Sequence, residues 1–558
     1  MTDTLTPALD AIAFPKLDEG ELAALRPLAT VCTYEDGETI IHAGDADIDL
    51  FVVESGAIEI HNPADDNSLV VTHGPGQFAG DIDLLTRRPV IVSGIAQGPT
   101  TVLRVPGQRL REILAKIPRL SDKMLLAIQE RRRLLSEAGV IGLQVVGPGK
   151  CRDTMLVREF LFKNFVPFTW FESTSEGGRK LMDRWGNPRK SPVIECGNGQ
   201  VLINPNLREL AQGAGVWRHC PEEMVDLAII GAGPAGMTAA VYAASEGLST
   251  VVLDRLGPGG QAAGSSKIEN FIGFPSGLSG AELATRSVLQ MLKFGARMVA
   301  PVVVERIDVD PGPDLCHALH LDCGAELRAK TVLVATGVNW RKLDAPGAER
   351  FESAGVHYAC TSVEAMLYDS QDVAVVGAGN SAGQAAMYLS ECCLSRKVHL
   401  LVRRKLGPGM SDYLVGRIRA SANIVLHEGV EISEVHGERR LEGITVRPRD
   451  PEGNFLDEPG ERLDAAAVFV FIGAEPGCSW LPKEVARDKL GFVLTGTDAL
   501  KSGQWPLQDR EPCPLETTVP GLLAAGDIRA GSTKRVGFAV GDGSLAVTCV
   551  HRLIAIRS

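Results

Sequence analysis

Val225-Asp226-Leu227-Ala228-Ile229-Ile230-Gly231-Ala232-Gly233-Pro234-Ala235-Gly236 is the stretch on which the fold turns. An apolar, β-branched run leads into Gly-x-Gly-x-x-Gly, an uncharged helical stretch continues through Ala244, and the next strand, Thr250 to Leu253, ends in Asp254, 18 residues past Gly236. Gly231 permits a tight turn, Gly233 lets a pyrophosphate approach the backbone, and Gly236 allows close helix-to-strand packing. The N-terminus of the helix opened by Pro234 and Ala235 attracts the anion. Asp254 is placed to accept from a ribose hydroxyl. From Asp226 onward, β-rich runs, glycine turns and helices alternate, which predicts α/β units around parallel sheets.

A second copy begins 146 residues after the first: Asp372 to Val376, then Gly377-Ala378-Gly379-Asn380-Ser381-Ala382. Ala382 replaces the third glycine, a change the motif tolerates. Its following strand, Lys397 to Val402, ends in Arg403-Arg404 instead of an acid. Guanidinium forks pair with phosphate oxygens, so this pair suits a 2′-phosphate and favours NADPH over NADH. Two fingerprints in one chain imply one resident nucleotide and one travelling reductant.

The stretch from Asp226 to the C-terminus resembles the low-molecular-weight thioredoxin reductases, the class II pyridine nucleotide-disulfide oxidoreductases. The resemblance rests on Gly259-Gly260-Gln261, Ile268 to Pro275, Ala335-Thr336-Gly337, Gly377 to Ala382, Arg403-Arg404 and Gly521 to Asp527. It implies a FAD flavoprotein with an NADPH domain inserted in the FAD domain, and a homodimer. By the same resemblance Asp527 would hold the FAD ribitol, Gln261 and Asn270 would lie near the flavin, and Gly260, Thr336, Gly337 and Gly526 would belong to the cofactor-binding set. Lys534-Arg535 would begin the helix facing the isoalloxazine ring.

One departure matters. The family places Cys-Ala-Thr-Cys-Asp just before the NADPH fingerprint, where this chain reads Cys360-Thr361-Ser362-Val363-Glu364. Val363 stands where the second cysteine belongs, and no Cys-x-x-Cys occurs anywhere; the nearest neighbours are the vicinal Cys392-Cys393. Cys360 and Glu364 are therefore the candidate catalytic pair, as a mixed-disulfide thiol and the acid beside it. The bland alternative is a small buried hydrophobe and a solvated surface acid.

The chain is 558 residues long with 12 cysteines and a formal net charge of −12. At about 100 to 200 residues per domain it holds several domains. The acidic balance disfavours nucleic-acid and anionic-membrane partners, the cysteine usage points to a reducing cytoplasm, and no metal cluster is expected. Leu227 to Ser245 and Val373 to Ser390 are uncharged enough to raise the question of membrane spans. Their glycine clusters read better as strand, turn and helix.

Residues 1–138 alternate with turns at Ser55-Gly56, Asp65-Asp66-Asn67 and Gly74-Pro75-Gly76, and then become helical from Gln108, with a break at Pro118. This resembles a cyclic-nucleotide-binding β-roll. Its phosphate cassette departs from the family: Phe78-Ala79-Gly80-Asp81 carries a shorter acid, and Val90 stands where the phosphate-binding arginine is expected. Weak or no cyclic-nucleotide binding follows unless Arg87 or Arg88 compensates.

Residues 139–222 give strand, helix, strand, then two strands around Asn198-Gly199 and a closing helix, an order that is similar to thioredoxin and glutaredoxin. Thr154 replaces the second cysteine of the Cys151 motif, whose thiol sits beside Lys150 and Arg152, and Ser191-Pro192 occupies the cis-proline position. The FAD domain is expected at 223–345 and 465–558, and the NADPH domain at 346–464. The expected activity is NADPH-dependent FAD oxidoreduction toward an unidentified acceptor, such as a thioredoxin-like disulfide. A ferredoxin-NADP reductase-like flavoprotein and a flavin-binding sensor without turnover are the alternatives.

Overall fold

The computed structural model describes residues 11–556 apart from 47, 64–66, 139–141, 150, 198, 266, 310–315, 353, 361, 408, 439 and 451–453. Asp65-Asp66, Lys150, Asn198 and Thr361 lie outside the described residues. The N-terminal roll is antiparallel, with Thr30–Tyr34, Ser93–Val105, Leu50–Asn62 and Ser68–His73 side by side. Ser55-Gly56 is not a hairpin turn. Leu50–Asn62 runs through it as one strand with register shifts on either side, and Gly56 at φ +78° is needed because a Cβ would lie 2.6 Å from the Pro99 carbonyl. Helices Leu110–Lys116 and Pro118–Ala138 close the roll, Pro118 starting the second as the sequence predicts.

The next unit is a four-stranded sheet in the order Val201–Ile203, Val193–Glu195, Leu143–Val146, Phe168–Phe171. Leu143–Val146 and the edge strand Phe168–Phe171 are parallel, and the other pairs are antiparallel. The expected element order is present with one addition, helix Glu176–Arg184, capped by Ser175. The Ser191-Pro192 bond is cis.

Two Rossmann-type units follow. The first has Arg297–Val299, Thr250–Leu253, Val225–Ile230, Glu326–Val334 and Leu522–Ala524 in parallel, extended by the antiparallel strands His317–Leu321 and Val304–Asp308. The second is an all-parallel sheet in the order Val356–His357, Ala467–Val470, Val373–Val376, Val398–Val402, Ile424–Glu428. Ala467–Val470 pairs with Val373–Val376 at its centre, so the inserted unit runs past the expected limit at 464. The chain enters and leaves it through the antiparallel ribbon Asn339–Trp340 and Ala474–Glu475.

Both stretches suspected of spanning a membrane are strand, turn and helix. Among the described residues one helix, Val536–Ala555, is long and apolar enough to cross a bilayer by length and composition. Its Ala546, Val547, Val550 and Leu553 are buried in the core that also holds Ala239, Ala240 and Ala243 of helix Pro234–Ser245. The same core joins the roll to the first Rossmann unit, with Leu110, Ile113 and Leu114 in one cluster with Val288, Leu289 and Leu292 of helix Gly280–Phe294.

Candidate functional site

At the first fingerprint, Gly233 caps helix Pro234–Ser245 and Pro234 occupies its first turn. A Cβ on Gly231 would lie 2.4 Å from the Ala335 carbonyl, and one on Gly236 would lie 1.9 Å from the Gly231 carbonyl. Toward the space a cofactor would fill, a Cβ on Gly233 would meet only the Gly260 Cα at 3.9 Å, and one on Gly337 nothing within 4 Å. A FAD pyrophosphate fits this cradle, because backbone can approach it where side chains would intrude. The Asp254 carboxylate accepts from the backbone N–H groups of Ala232 (2.8 Å), Leu256 (2.9 Å) and Gly257 (2.8 Å). It thus shapes the glycine loop as well as standing at the expected ribose position.

Gln261, whose Nε2 donates to the Val338 carbonyl, Thr336 and Asn270 are exposed. Gly526 and Asp527 form a short 3-10 turn after Leu522–Ala524. Burial raises the Asp527 carboxyl above the ordinary aspartate range, with Lys534 opposing and Asp542 adding to the shift. Lys534 Nζ donates to the Asp527 carbonyl, and Arg535 is the N-cap of helix Val536–Ala555.

At the second fingerprint a Cβ on Gly377 would lie 2.4 Å from the Phe471 carbonyl, whereas one on Gly379 would meet only the Gly409 carbonyl, at 4.0 Å. Gly379 caps helix Asn380–Cys392, Ser381 is exposed and Ala382 is fully buried. Asn380 Oδ1 accepts from the Ser411 N–H at 2.7 Å, tying the helix start to a following loop. Arg403 and Arg404 are exposed at the strand end, and Arg403 Nη1 stands 3.9 Å from Glu431 Oε1.

Cys360 links the two units: it forms a parallel bridge with Ser265, just past the Ala262–Gly264 turn that Gln261 opens. It is 5% exposed, and burial raises its thiol well above the ordinary range, Glu364 and Cys392 adding and Arg396 opposing. Arg417 crosses between units too, with Nη1 3.3 Å from Glu269 Oε2 and Nη2 2.5 Å from Glu391 Oε1.

The family model described as pyridine nucleotide-disulphide oxidoreductase matches residues 225–543. The chain belongs to that family. A thioredoxin reductase of Mycoplasma pneumoniae is 30% identical over 334 residues, 59% of this chain and 95% of that protein. An NADH dehydrogenase of Bacillus subtilis is 29% identical over 355 residues, 63% of this chain and 62% of that protein. The crystal structure of T. acidophilum thioredoxin reductase superposes with a TM-score of 0.52 at 26% identity, covering 60% of this chain and all of that one. Residues 31–117 match the cyclic nucleotide-binding domain. Thioredoxin reductase-like members of the oxidoreductase family use FAD and NADPH.

In the roll, the cassette is occupied from within. Arg131, 6% exposed, donates from Nε to the Ala13 carbonyl (2.7 Å) and from Nη2 to the Phe78 carbonyl (3.0 Å), and Nη1 reaches the Gly80 carbonyl. Its guanidinium lies 4.4 Å from the Phe78 ring centroid. Val90 is buried with Ile41, Phe51 and Val53, and Arg88 donates to the Asn164 carbonyl of the next unit at 2.5 Å. Sequence reasoning missed Arg131, which lies 53 residues from Phe78; the available signal was that Arg131, first of the run Arg131-Arg132-Arg133, continues at i+3 the apolar stripe of Leu120, Met124 and Ile128. In the four-stranded unit, Cys151 is the half-buried N-cap of helix Arg152–Lys163. Arg158 of that helix stacks 4.2 Å from the Trp170 ring and lies in the field of Glu364.

Proposed function

We propose that the chain is an NADPH-dependent FAD oxidoreductase that passes electron pairs to a disulfide acceptor. One observation carries the reading: two open dinucleotide cradles on separate parallel sheets, the second ending in the exposed Arg403-Arg404, with Cys360 bridged to the segment beside the first. When bound, FAD supplies hydride acceptance and two-electron delivery. The residues of this chain do the rest. Gly231, Gly233 and Gly236 admit a pyrophosphate, Asp527 meets the ribitol side, and Arg403 and Arg404 select the phosphorylated nicotinamide nucleotide. The charge of Glu364, four residues on, adds to the burial that keeps the Cys360 thiol protonated.

The reading extends to a homodimer, as in the family, and to a reducing cytoplasm. Cyclic AMP and cyclic GMP bind the roll weakly or not at all, because Val90 offers no phosphate partner and Arg131 fills the cassette. The four-stranded unit is a thioredoxin-like adaptor whose motif position keeps a single cysteine, Cys151. The test is anaerobic reduction by NADPH followed by reoxidation with a thioredoxin-type disulfide or with ferredoxin. Reoxidation by ferredoxin alone supports the ferredoxin-NADP reductase-like alternative, which the valine at 363 favours.

A further inference from the structure

Asp254 and the loop that follows it are held from outside by a different unit. Asn164 ends helix Arg152–Lys163 of the four-stranded unit and is 5% exposed. Its Nδ2 donates to the Leu256 carbonyl at 2.7 Å and to the Phe160 carbonyl of its own helix at 2.9 Å. Gly257 makes that approach possible, because a Cβ there would lie 2.6 Å from Asn164 Nδ2. On the other side the Leu256 and Gly257 N–H groups donate to Asp254 Oδ1 at 2.9 and 2.8 Å, and the Ala232 N–H donates to Oδ2 at 2.8 Å. Leu256 thus lies between two anchors, the Asp254 carboxylate at its N–H and the Asn164 amide at its carbonyl. The side chains are exchanged as well. Leu256 packs against the core of the four-stranded unit, and Phe165, next to Asn164, packs against the core shared by the roll and the first Rossmann unit. The roll closes the arrangement: Arg88 Nη1 donates to the Asn164 carbonyl at 2.5 Å, and Arg218 Nη2, past the closing helix of the four-stranded unit, donates to the Thr86 carbonyl at 2.8 Å.

We propose that Asn164 is a positioning residue for FAD: by fixing the Leu256 carbonyl it sets the direction of the Asp254 carboxylate toward the adenosine ribose, and the roll, through Arg88, holds Asn164 in place. This rests on FAD occupying the first cradle. A carboxylate that accepts three backbone N–H groups takes its direction from the loop that supplies two of them. Removing the amide leaves the Leu256 carbonyl without this donor, frees the loop and weakens the contact between Asp254 and a ribose hydroxyl. The two N-terminal units are therefore the outer wall of the cofactor site, a role that needs no ligand in the roll.

The test is fluorescence titration of the full-length apoprotein with FAD and with an FAD analogue whose adenosine ribose lacks the 2′-hydroxyl, for wild type, N164A and R88A. N164A is expected to bind FAD about 3- to 10-fold more weakly, and R88A about twofold more weakly. The penalty for the missing hydroxyl separates positioning from general destabilisation. It is expected to be about tenfold in wild type and about threefold or less in N164A, where the contact it removes is already impaired. Loss of folding stability alone weakens both ligands equally and leaves the penalty at its wild-type value. That result, or undiminished FAD affinity in N164A, overturns the positioning role while FAD stays assigned to the cradle. Should N164A fail to fold, R88A reads the same cycle: a penalty below the wild-type one supports the proposal and an equal one overturns it. If wild type binds both ligands equally, the ribose contact of Asp254 fails and the proposal with it. If it binds neither, the FAD assignment fails too.

Discussion

Replacing both Arg403 and Arg404 by alanine separates NADPH selectivity from general nucleotide binding. A charged hydrogen bond contributes about 1.5 to 3 kcal/mol, and the exposure of Arg403, 67% of its side chain, places its contact at the lower end. At about 1.4 kcal/mol per decade, each arginine contributes roughly tenfold in affinity for a 2′-phosphate. Adjacent residues do not add fully, so the double variant raises the KM for NADPH roughly 30- to 100-fold. NADH lacks the phosphate, and its KM stays within about twofold on the same reasoning. Glu431 gives a control of opposite sign. It stands 3.9 Å from Arg403 and also pairs with Arg449. E431Q releases Arg403 from a surface ion pair of about 0.5 kcal/mol, lowering the KM for NADPH about twofold. Steady-state kinetics with both nucleotides reads both variants. Equal losses for NADPH and NADH in the double variant would refute the assignment of the arginines to the phosphate.

Three further outcomes are expected. R131M leaves the carbonyls of Ala13, Phe78 and Gly80 without their donor, at roughly 1 to 3 kcal/mol each before the relief of a buried charge, so chemical denaturation should show the roll weakened by about 2 to 4 kcal/mol; an unchanged midpoint contradicts a structural role for Arg131 in the cassette. Burial lowers the His73 imidazole to about 3, with Arg131 adding, so between about pH 6.5 and 3 the unfolded chain holds a proton that the native one does not. Stability then falls by roughly 1.4 kcal/mol per unit as pH drops through that window, and H73F removes this slope in pH-dependent unfolding, whereas an unaltered slope assigns it to other groups. G236A puts a Cβ 1.9 Å from the Gly231 carbonyl, and the protein is expected to purify without flavin; a stoichiometric flavin-to-protein ratio contradicts the cradle.

The two nucleotide cradles were legible because their determinants are local: a strand, a glycine turn and a helix cap within a dozen residues. Asp254 and Arg403 fell at strand ends for the same reason. What the sequence hid depends on distant pairing. Ala467–Val470 is a short apolar run whose membership of the second sheet is decided by Val373–Val376, about 90 residues earlier, so a boundary at 464 cut it off. Ser55-Gly56 has turn chemistry, but pairing of Leu50–Asn62 along Ser93–Val105 overrides it. Helix Glu176–Arg184 was masked by Gly177-Gly178, weak helix formers held by the Ser175 cap. Arg131 in the cassette and Arg396 beside Cys392 are single buried cations in apolar surroundings, and sequence periodicity assigns such positions no partner.

The most direct test of the account is anaerobic rapid mixing of the full-length, flavin-loaded protein with NADPH, following the flavin absorbance. Fast bleaching with NADPH, much slower bleaching with NADH, and recovery of the oxidised band on adding a thioredoxin-type disulfide are the predicted result. A flavin that stays oxidised in excess NADPH would contradict it.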